Sequence, residues 1–526
     1  MRTAVYNRYW STGGGAEKYG GVIAQVLSGD GPLDILTHDP VDVDWLAERL
    51  HLDLAKVNVR LVDDVPGAVT RTSAEYDLFV NVSYMSNDRA GTDNSLYVVH
   101  FPSTLDGHRG PVRRFLHRRS DRLVHALVPV EMDWGDGFHH RDPGSRSLGW
   151  TSGAGVLHFV TRPGRPVSVT LTFTHQRPPE LGPTPVRVEV DGRPAAEVVL
   201  ERPPSRLQAR RGASVTFVVE SPDRDVPVEV KVVSDTFVPA EVMGGSDRRR
   251  LGVCLKSVRV GSGPFEPVMR HLPLAIGAPS SARWTNSYGA LVANSEFTRE
   301  WVKRWWECDT EVLYPPVSMH PRRDKAPIIL NVGRFFDADL GHSKKQLEMV
   351  RAFRDLCDRG VTGWTLHLLG GCVAVGDGYF DQVRRAAEGY PVELHPNASG
   401  EEKDGLYGRA SIYWHASGFG ENPQRHPGRL EHFGITTVEA MSAGAVPVVI
   451  GRAGQLETVR HGVDGYHFHT LDELTSLSES LIGDEARLAE MSAAAETRAR
   501  EFSIDAFEGR LRTIVERVRR SASSGG

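Results

Sequence analysis

Residues 427–450 read PGRLEHFGITTVEAMSAGAVPVVI, and this stretch decides the fold. It parses as loop, helix, glycine stop and buried strand. Gly434 interrupts the chain before Ile435. Thr436 is placed to cap a helix with Glu439 three residues on, and Gly444 suits a left-handed stop. Ala445 to Ile450 is an apolar run long enough for one buried parallel strand. Two carboxylates, Glu431 and Glu439, flank the turn and can face one pocket at the helix N-terminus. Unpaired N–H groups there attract anions. Carboxylates beside an anion site serve as acceptors for hydroxyl groups. A ligand carrying both phosphate and many hydroxyls is a sugar nucleotide. Taken alone, Thr436-x-x-Glu439 reads equally well as a capping box.

Upstream, Ile328 to Val332 predicts a strand followed by Gly333 and Arg334, and then FFDADLGHSKKQLEMVRAFRDL enters a helix. Arg334 with Lys344 or Lys345 can converge on one anion. Two fixed cations beside a departing diphosphate stabilise its charge without a metal. Trp364 to Leu369 is another strand, ending in Gly370 and Gly371, a turn able to approach a nucleotide. Val392 to His395 and Ala410 to His415 follow as strands, and a polar Gly/Pro-rich loop leads into the opening stretch. Leu471 to Arg519 has helical spacing.

The N-terminus repeats the pattern. Thr3 to Tyr6 is a strand, Gly13, Gly14 and Gly15 form a turn, and Ala16 to Leu27 has helical periodicity. Glycines let the backbone approach a ligand and aim N–H groups at it. The turn lacks the G-K-[ST] of a Walker loop and the G-x-G-x-x-G of a dinucleotide site. Tyr76 to Val82 and Leu96 to Phe101 are buried-strand runs. His100 falls at a strand's C-terminal end, where open α/β sheets bind ligands. Between about Leu127 and Val260 the pattern becomes short alternating runs separated by Gly/Pro/Asp turns, which predicts a β-sandwich inserted in the α/β frame. Its aromatic residues, among them Trp134, Phe138 and Trp150, are expected in its core, with stacking on sugars as the sharper reading. The α/β pattern resumes at Trp284.

Bulk properties narrow the classes. The 526 residues suffice for three or four domains, and a net charge of −5 gives no basic field for nucleic acid. Four scattered cysteines contain no C-x-x-C pair, which fits a reducing cytosol. No apolar run nears the roughly 20 residues of a membrane span, and the N-terminus enters its first strand without a signal-peptide core. The expected location is cytoplasmic. The basic stretch from Gly110 to Val128 is a solvated helix face or a peripheral contact with anionic lipid at the inner face of the membrane.

The run E-H-F-G-I-T-T-V-E-A-M-S-A-G-A-V-P-V-V resembles the signature of retaining glycosyltransferases of family four. The N-S-E-F-T and Y-P-P-V runs at 294–298 and 314–317 are similar to those of family members, and the segment Glu431 to Glu439 with the Y-P-P-V run looks like the lipid-linked-oligosaccharide mannosyltransferase branch. The resemblance implies a GT-B fold, an α/β architecture of two Rossmann-like domains facing a cleft. Residues 1–122 and 263–318 would form the acceptor-side domain, 123–262 the inserted sandwich, 319–503 the donor domain, and 504–526 a helix crossing back, with a tail. It also implies roles. Glu439 would accept from ribose hydroxyls and Glu431 from the transferred sugar. Arg334 and Lys344 would hold the diphosphate, with Gly14 and Gly15 opposite, and His100 would contact the sugar. Gly333, Gly370, Gly371, Phe433, Gly434, Ile435 and Thr436 would complete the donor site.

The implied reaction moves a hexose, mannose favoured, from GDP-mannose or a UDP-sugar to a glycan or lipid-linked acceptor. It proceeds with retention of configuration and with neither cofactor nor catalytic metal. The D-x-D triplets at Asp42/Asp44, Asp223/Asp225 and Asp337/Asp339 are read as chance. Two other classes stay open: a sugar-nucleotide epimerase or phosphorylase of similar fold, and a non-catalytic glycan-binding subunit acting through the insert.

Overall fold

The strands of the two α/β halves are mostly short runs of buried apolar residues. Thr3–Tyr6, Leu78–Asn81, Ser95–Val99 and Val446–Ile450 are buried at every position, as parallel strands covered on both faces must be. Each buried Val or Ile side chain contributes roughly 1.5–3 kcal/mol relative to exposure. The computed structural model describes residues 2–64, 67–103, 131–134, 137–139, 149–161, 164, 166–175, 177–201, 205, 212–221, 228–243, 249–261, 282–336, 343–372 and 378–523. The basic stretch at 110–128 and the triplets Asp223/Asp225 and Asp337/Asp339 lie outside the described residues. Asp42 has a structural role: its carboxylate accepts from Asp44 N and Trp45 N and caps the Val43–Leu50 helix.

The first sheet has seven parallel strands. Across it run Val57–Leu61, Leu33–Thr37, Thr3–Tyr6, Leu78–Asn81, Ser95–Val99, Ala290–Ala293 and Glu311–Val312. The second has six, also parallel: Val392–Pro396, Thr365–Gly370, Ala326–Val332, Ala410–His415, Val446–Ile450 and Tyr466–Phe468. Both run outward from their first strand and then reverse, the doubly wound order. In each, the switch point lies between the first and fourth strands, at whose C-terminal ends such folds bind ligands. Those ends are the glycine turn after Tyr6 and the residues following Val332 and His415.

Residues 131–261 contribute a five-stranded and a four-stranded antiparallel sheet. The two share one core, which includes Leu157, Phe159, Leu171, Val188, Phe217 and Val258. Phe138 belongs to that core, and Trp150 packs on Phe237. These two rings therefore fill the interior and offer no platform to a sugar.

The last helix, Ile504–Ser523, leaves the second α/β half and returns to the first. Phe507, Leu511, Ile514, Val515 and Val518 join the core of the first sheet. Phe502, two residues before the helix, stays in the second half's cluster with Phe433 and Met441. Among the described residues no helix is long and apolar enough to cross a membrane.

Candidate functional site

Gly434, at φ +100°, starts the Ile435–Ser442 helix directly. Thr436 therefore sits inside the first turn and caps nothing. Its Oγ1 accepts from the Tyr413 hydroxyl at 2.8 Å. The Glu439 carboxylate likewise leaves the helix N-terminus and accepts from the Tyr407 hydroxyl at 2.9 Å. The capping-box reading fails on geometry, because both side chains are turned to tyrosines of neighbouring elements. Gly444, at φ +83°, ends the helix as the sequence suggests.

The two glutamates have different surroundings. Glu431 meets Lys344 Nζ at 2.6 Å, and His415 Nε2 lies 3.2 Å from the same oxygen. Burial raises the Glu431 carboxyl, but Lys344 and then His415 outweigh it and hold the group well below the usual carboxylate range. Glu439 has His320 Nε2 3.9 Å away and Lys18 nearby. Burial again opposes ionisation, and His320 with Lys18 again prevails, so its pKa is lowered. Lys18 comes from the first α/β half and donates to Ser318 Oγ at 2.6 Å. His415 Nδ1 and His320 Nε2 make no hydrogen bond among the described residues.

The two lysines that the sequence left undecided now separate. Lys344 pairs with Glu431, while Lys345, the residue preceding the Gln346–Asp358 helix at φ +60°, reaches Glu421 at 3.3 Å. The guanidinium of Arg334 is exposed and makes no hydrogen bond or ion pair among the described residues. It faces the first half: a Cβ placed on Gly14 would lie 3.2 Å from Arg334 Nη2. One placed on Gly15 would lie 3.5 Å from Ile435 Cδ1. The glycine turn and the stretch around Glu431 thus close on each other across the cleft.

One expectation about that turn is corrected. Gly14 N–H does not point to an open anion site, because it donates to Glu17 Oε2 at 2.8 Å, which Thr12 Oγ1 also reaches at 2.7 Å. Glu17 is buried and its other oxygen accepts from Asn7. The turn is pinned by its own carboxylate, and the helix's first-turn N–H groups begin at Gly15. Phe433 is also corrected. Its ring packs between Tyr314 and Phe502, inside the core and away from the cleft. His100 stands at its strand end with Nε2 donating to Val82 O at 2.9 Å and its ring edge-on to Tyr19. Burial lowers its pKa, so the ring is neutral.

Gly333 and Gly370 hold two backbone segments together. A Cβ on Gly370 would fall 1.9 Å from the Gly333 carbonyl oxygen, and Gly333 N donates to Leu369 O. Gly371 follows with its carbonyl accepting from Phe335 N. These glycines bring the loop that carries Arg334 against the neighbouring strand end. Further contacts join the halves: the His432 ring stacks on Phe101 with centroids 4.1 Å apart, and Glu457 accepts from the N–H groups of Glu296 and Phe297.

Two switch points facing one cleft, with two ionised carboxylates and the unpaired Arg334 guanidinium between them, are the geometry a sugar-nucleotide site needs. Residues 318–500 match the family model described as Glycosyl transferases group 1. A glycosyltransferase from Rickettsia africae ESF-5 superposes with a TM-score of 0.52 at 11% identity, covering 98% of each chain. The fold is GT-B. Anabaena Alr3699/HepE, solved with UDP and glucose, gives a TM-score of 0.49 at 12% identity over 98% of this chain and 99% of that one. The alpha-1,3/1,6-mannosyltransferase ALG2 of Dictyostelium discoideum is 33% identical over 91 residues, or 17% of this chain. The match spans 22% of that relative's length.

Sequence reasoning missed Tyr407, His320, Lys18 and Glu17. Spacing does not signal Tyr407, His320 or Lys18, since each lies tens to hundreds of positions from Glu439 in the chain. Glu17 alone had a local cue, an acid three residues after the Gly14 N-cap.

Proposed function

We propose that this protein is a retaining glycosyltransferase that moves a hexose, mannose favoured, from a nucleotide-diphosphate sugar to a glycan or lipid-linked acceptor. The observation that carries the proposal is that Glu431 and Glu439, each kept ionised by basic neighbours, lie on either side of the Gly434 helix start, while Arg334 and Ile435 reach the Gly14–Gly15 turn. An ionised carboxylate is an acceptor only, so both glutamates suit hydroxyl-rich ligands. His415 Nδ1 and His320 Nε2, buried and without a hydrogen-bond partner among the described residues, sit beside them, and polar groups of a ligand would satisfy these nitrogens.

In this reading Glu439 accepts from the ribose and Glu431 from the transferred sugar. Arg334 lies on the diphosphate, with the first-turn N–H groups from Gly15 onward opposite. Lys344 stands behind Glu431 and within the same field, so charge developing on the leaving diphosphate meets two fixed cations. Each such group is typically worth about 3 kcal/mol of barrier in a water-poor site. His100, a neutral ring, contacts the sugar from the first half. The diphosphate itself takes the acceptor's proton, and no covalent nucleophile or catalytic metal is needed. The partial identity to a mannosyltransferase supports mannose as the transferred sugar.

The test is nucleotide release from a panel of GDP- and UDP-sugars, with wild type beside Glu439→Ala and each measured with and without chelator. Slow hydrolysis of one donor, lost in the variant, is expected. Release that vanishes with chelator and returns with manganese would overturn the metal-free mechanism. No release, with no thermal protection by any donor, would overturn the enzyme reading.

A further inference from the structure

On the outer edge of the second sheet, His367 of strand Thr365–Gly370 and His395 of strand Val392–Pro396 lie side by side, their rings 8° from parallel. His367 Nδ1 is 3.0 Å from His395 Nε2. Glu393 Oε2 lies 3.6 Å from the first of these nitrogens and 3.8 Å from the second. A circle through three points with these separations has a radius of about 2.0 Å, within the usual range of zinc–imidazole and zinc–carboxylate bonds, about 2.0–2.2 Å. Among the described residues this is the one group of three such side chains close enough to share an ion.

The outer nitrogens are tied down as metal-bound imidazoles require. His395 Nδ1 lies 2.6 Å from Glu402 Oε1, and His367 Nε2 lies 3.0 Å from the Thr365 hydroxyl. A carboxylate or hydroxyl behind each ring fixes its orientation and tautomer. We propose that His367 Nδ1, His395 Nε2 and Glu393 Oε2 form a binding site for a divalent first-row metal ion of the zinc class. Two imidazoles and one carboxylate suit such an ion better than magnesium or calcium. Glu393 faces solvent, which leaves a fourth position for water.

Without the ion the cluster has a consistent neutral arrangement. His395 Nδ1–H donates to Glu402, His367 Nδ1–H donates to His395 Nε2, and the Thr365 hydroxyl donates to His367 Nε2. The ion takes the place of the single proton between the rings. That proton moves to His367 Nε2, where Thr365 turns to accept it, so no proton is lost overall. The bound ion ties the edge strand to its neighbour. Through Glu402 it also steadies the Gly400–Arg409 helix, which carries Tyr407 and thereby orients Glu439. The site is structural, and its occupancy does not depend on the proposed transferase activity.

The test uses the full chain, freed of metal with a chelator and titrated with zinc chloride alone against a chromophoric competitor. Wild type is expected to bind one zinc ion that His395→Gln loses by about 100-fold or more. Glu402→Gln is expected to weaken binding by about 10–100-fold, the usual cost of removing the carboxylate behind a metal-bound imidazole. Zinc should raise the thermal midpoint of wild type and leave that of Glu393→Gln unmoved. Equal zinc affinity in wild type and a folded His367→Gln/His395→Gln double variant would overturn the proposal. If that double variant does not fold, unchanged affinity in both Glu393→Gln and Glu402→Gln overturns it instead.

Discussion

The Lys344 ammonium lies 2.6 Å from the Glu431 carboxylate, a bond that links the loop after one central strand to the loop before the signature helix. His415 shares the same carboxylate oxygen. Lys344→Ala should therefore leave an anion facing one neutral ring, whereas the double change Lys344→Ala/Glu431→Ala removes both charges. Both side chains retain some solvent exposure, so each single change is expected to cost about 1–3 kcal/mol. The double change should cost less than the sum by at least about 1 kcal/mol. Urea unfolding of the four proteins measures this, and strict additivity would refute the coupling.

The same pair sets a pH dependence. The folded pKa of Glu431 lies below its ordinary value of 4.5. Its contribution to stability is present above that value and is lost as pH falls through the folded pKa. Glu439 is lowered too and adds in the same direction. Urea midpoints taken from pH 6 down toward pH 3 should fall more steeply in wild type than in Glu431→Gln.

Glu457 should behave in the opposite sense. Burial raises its pKa although it accepts from Glu296 N and Phe297 N across the domain boundary. Its ionisation thus opposes folding progressively as pH rises from 4.5 through the folded value. Glu457→Ala leaves the Ser295 cap of the Glu296–Trp306 helix in place but takes the acceptors from Glu296 N and Phe297 N, and is expected to cost about 1 kcal/mol. Faster amide exchange confined to the first turn of that helix would report the loss, and unchanged exchange there would count against it.

Two glycines should separate folding from function. At Gly370 an added Cβ meets a backbone carbonyl at 1.9 Å, so Gly370→Ala is expected to cost about 3 kcal/mol or more and to lower soluble yield. At Gly14 the nearest atoms are the Glu17 carboxylate at 3.0 Å and the end of the exposed Arg334 side chain at 3.2 Å, neither of them backbone. Gly14→Ala should unfold within about 1 kcal/mol of wild type yet release nucleotide at least about 10-fold more slowly, because Arg334 must move. Equal losses of stability in both variants would contradict this distinction.

The α/β strands were legible because a buried parallel strand must be an unbroken apolar run, as in Val446–Ile450, and little else in a sequence looks like that. Glu431, Glu439 and Arg334 were legible because turns and a helix start bracket them. The capping box was misread for a definite reason. Spacing shows that Thr436 and Glu439 could meet one another's backbone, but not that Tyr413 and Tyr407 offer each a better partner.

By itself the sequence determined the alternation of strand and helix, the change of pattern before residue 131, the glycine turns and the two acids on either side of one helix start. All of these follow from local periodicity and backbone preference. Tertiary structure decided which groups meet. It sent Lys344 to Glu431 and Lys345 to Glu421, buried Phe433, and brought His367, Glu393 and His395 together on two adjacent strands. The reason is distance along the chain. Contacts between residues tens to hundreds of positions apart depend on how sheets and helices pack, and no local pattern records that.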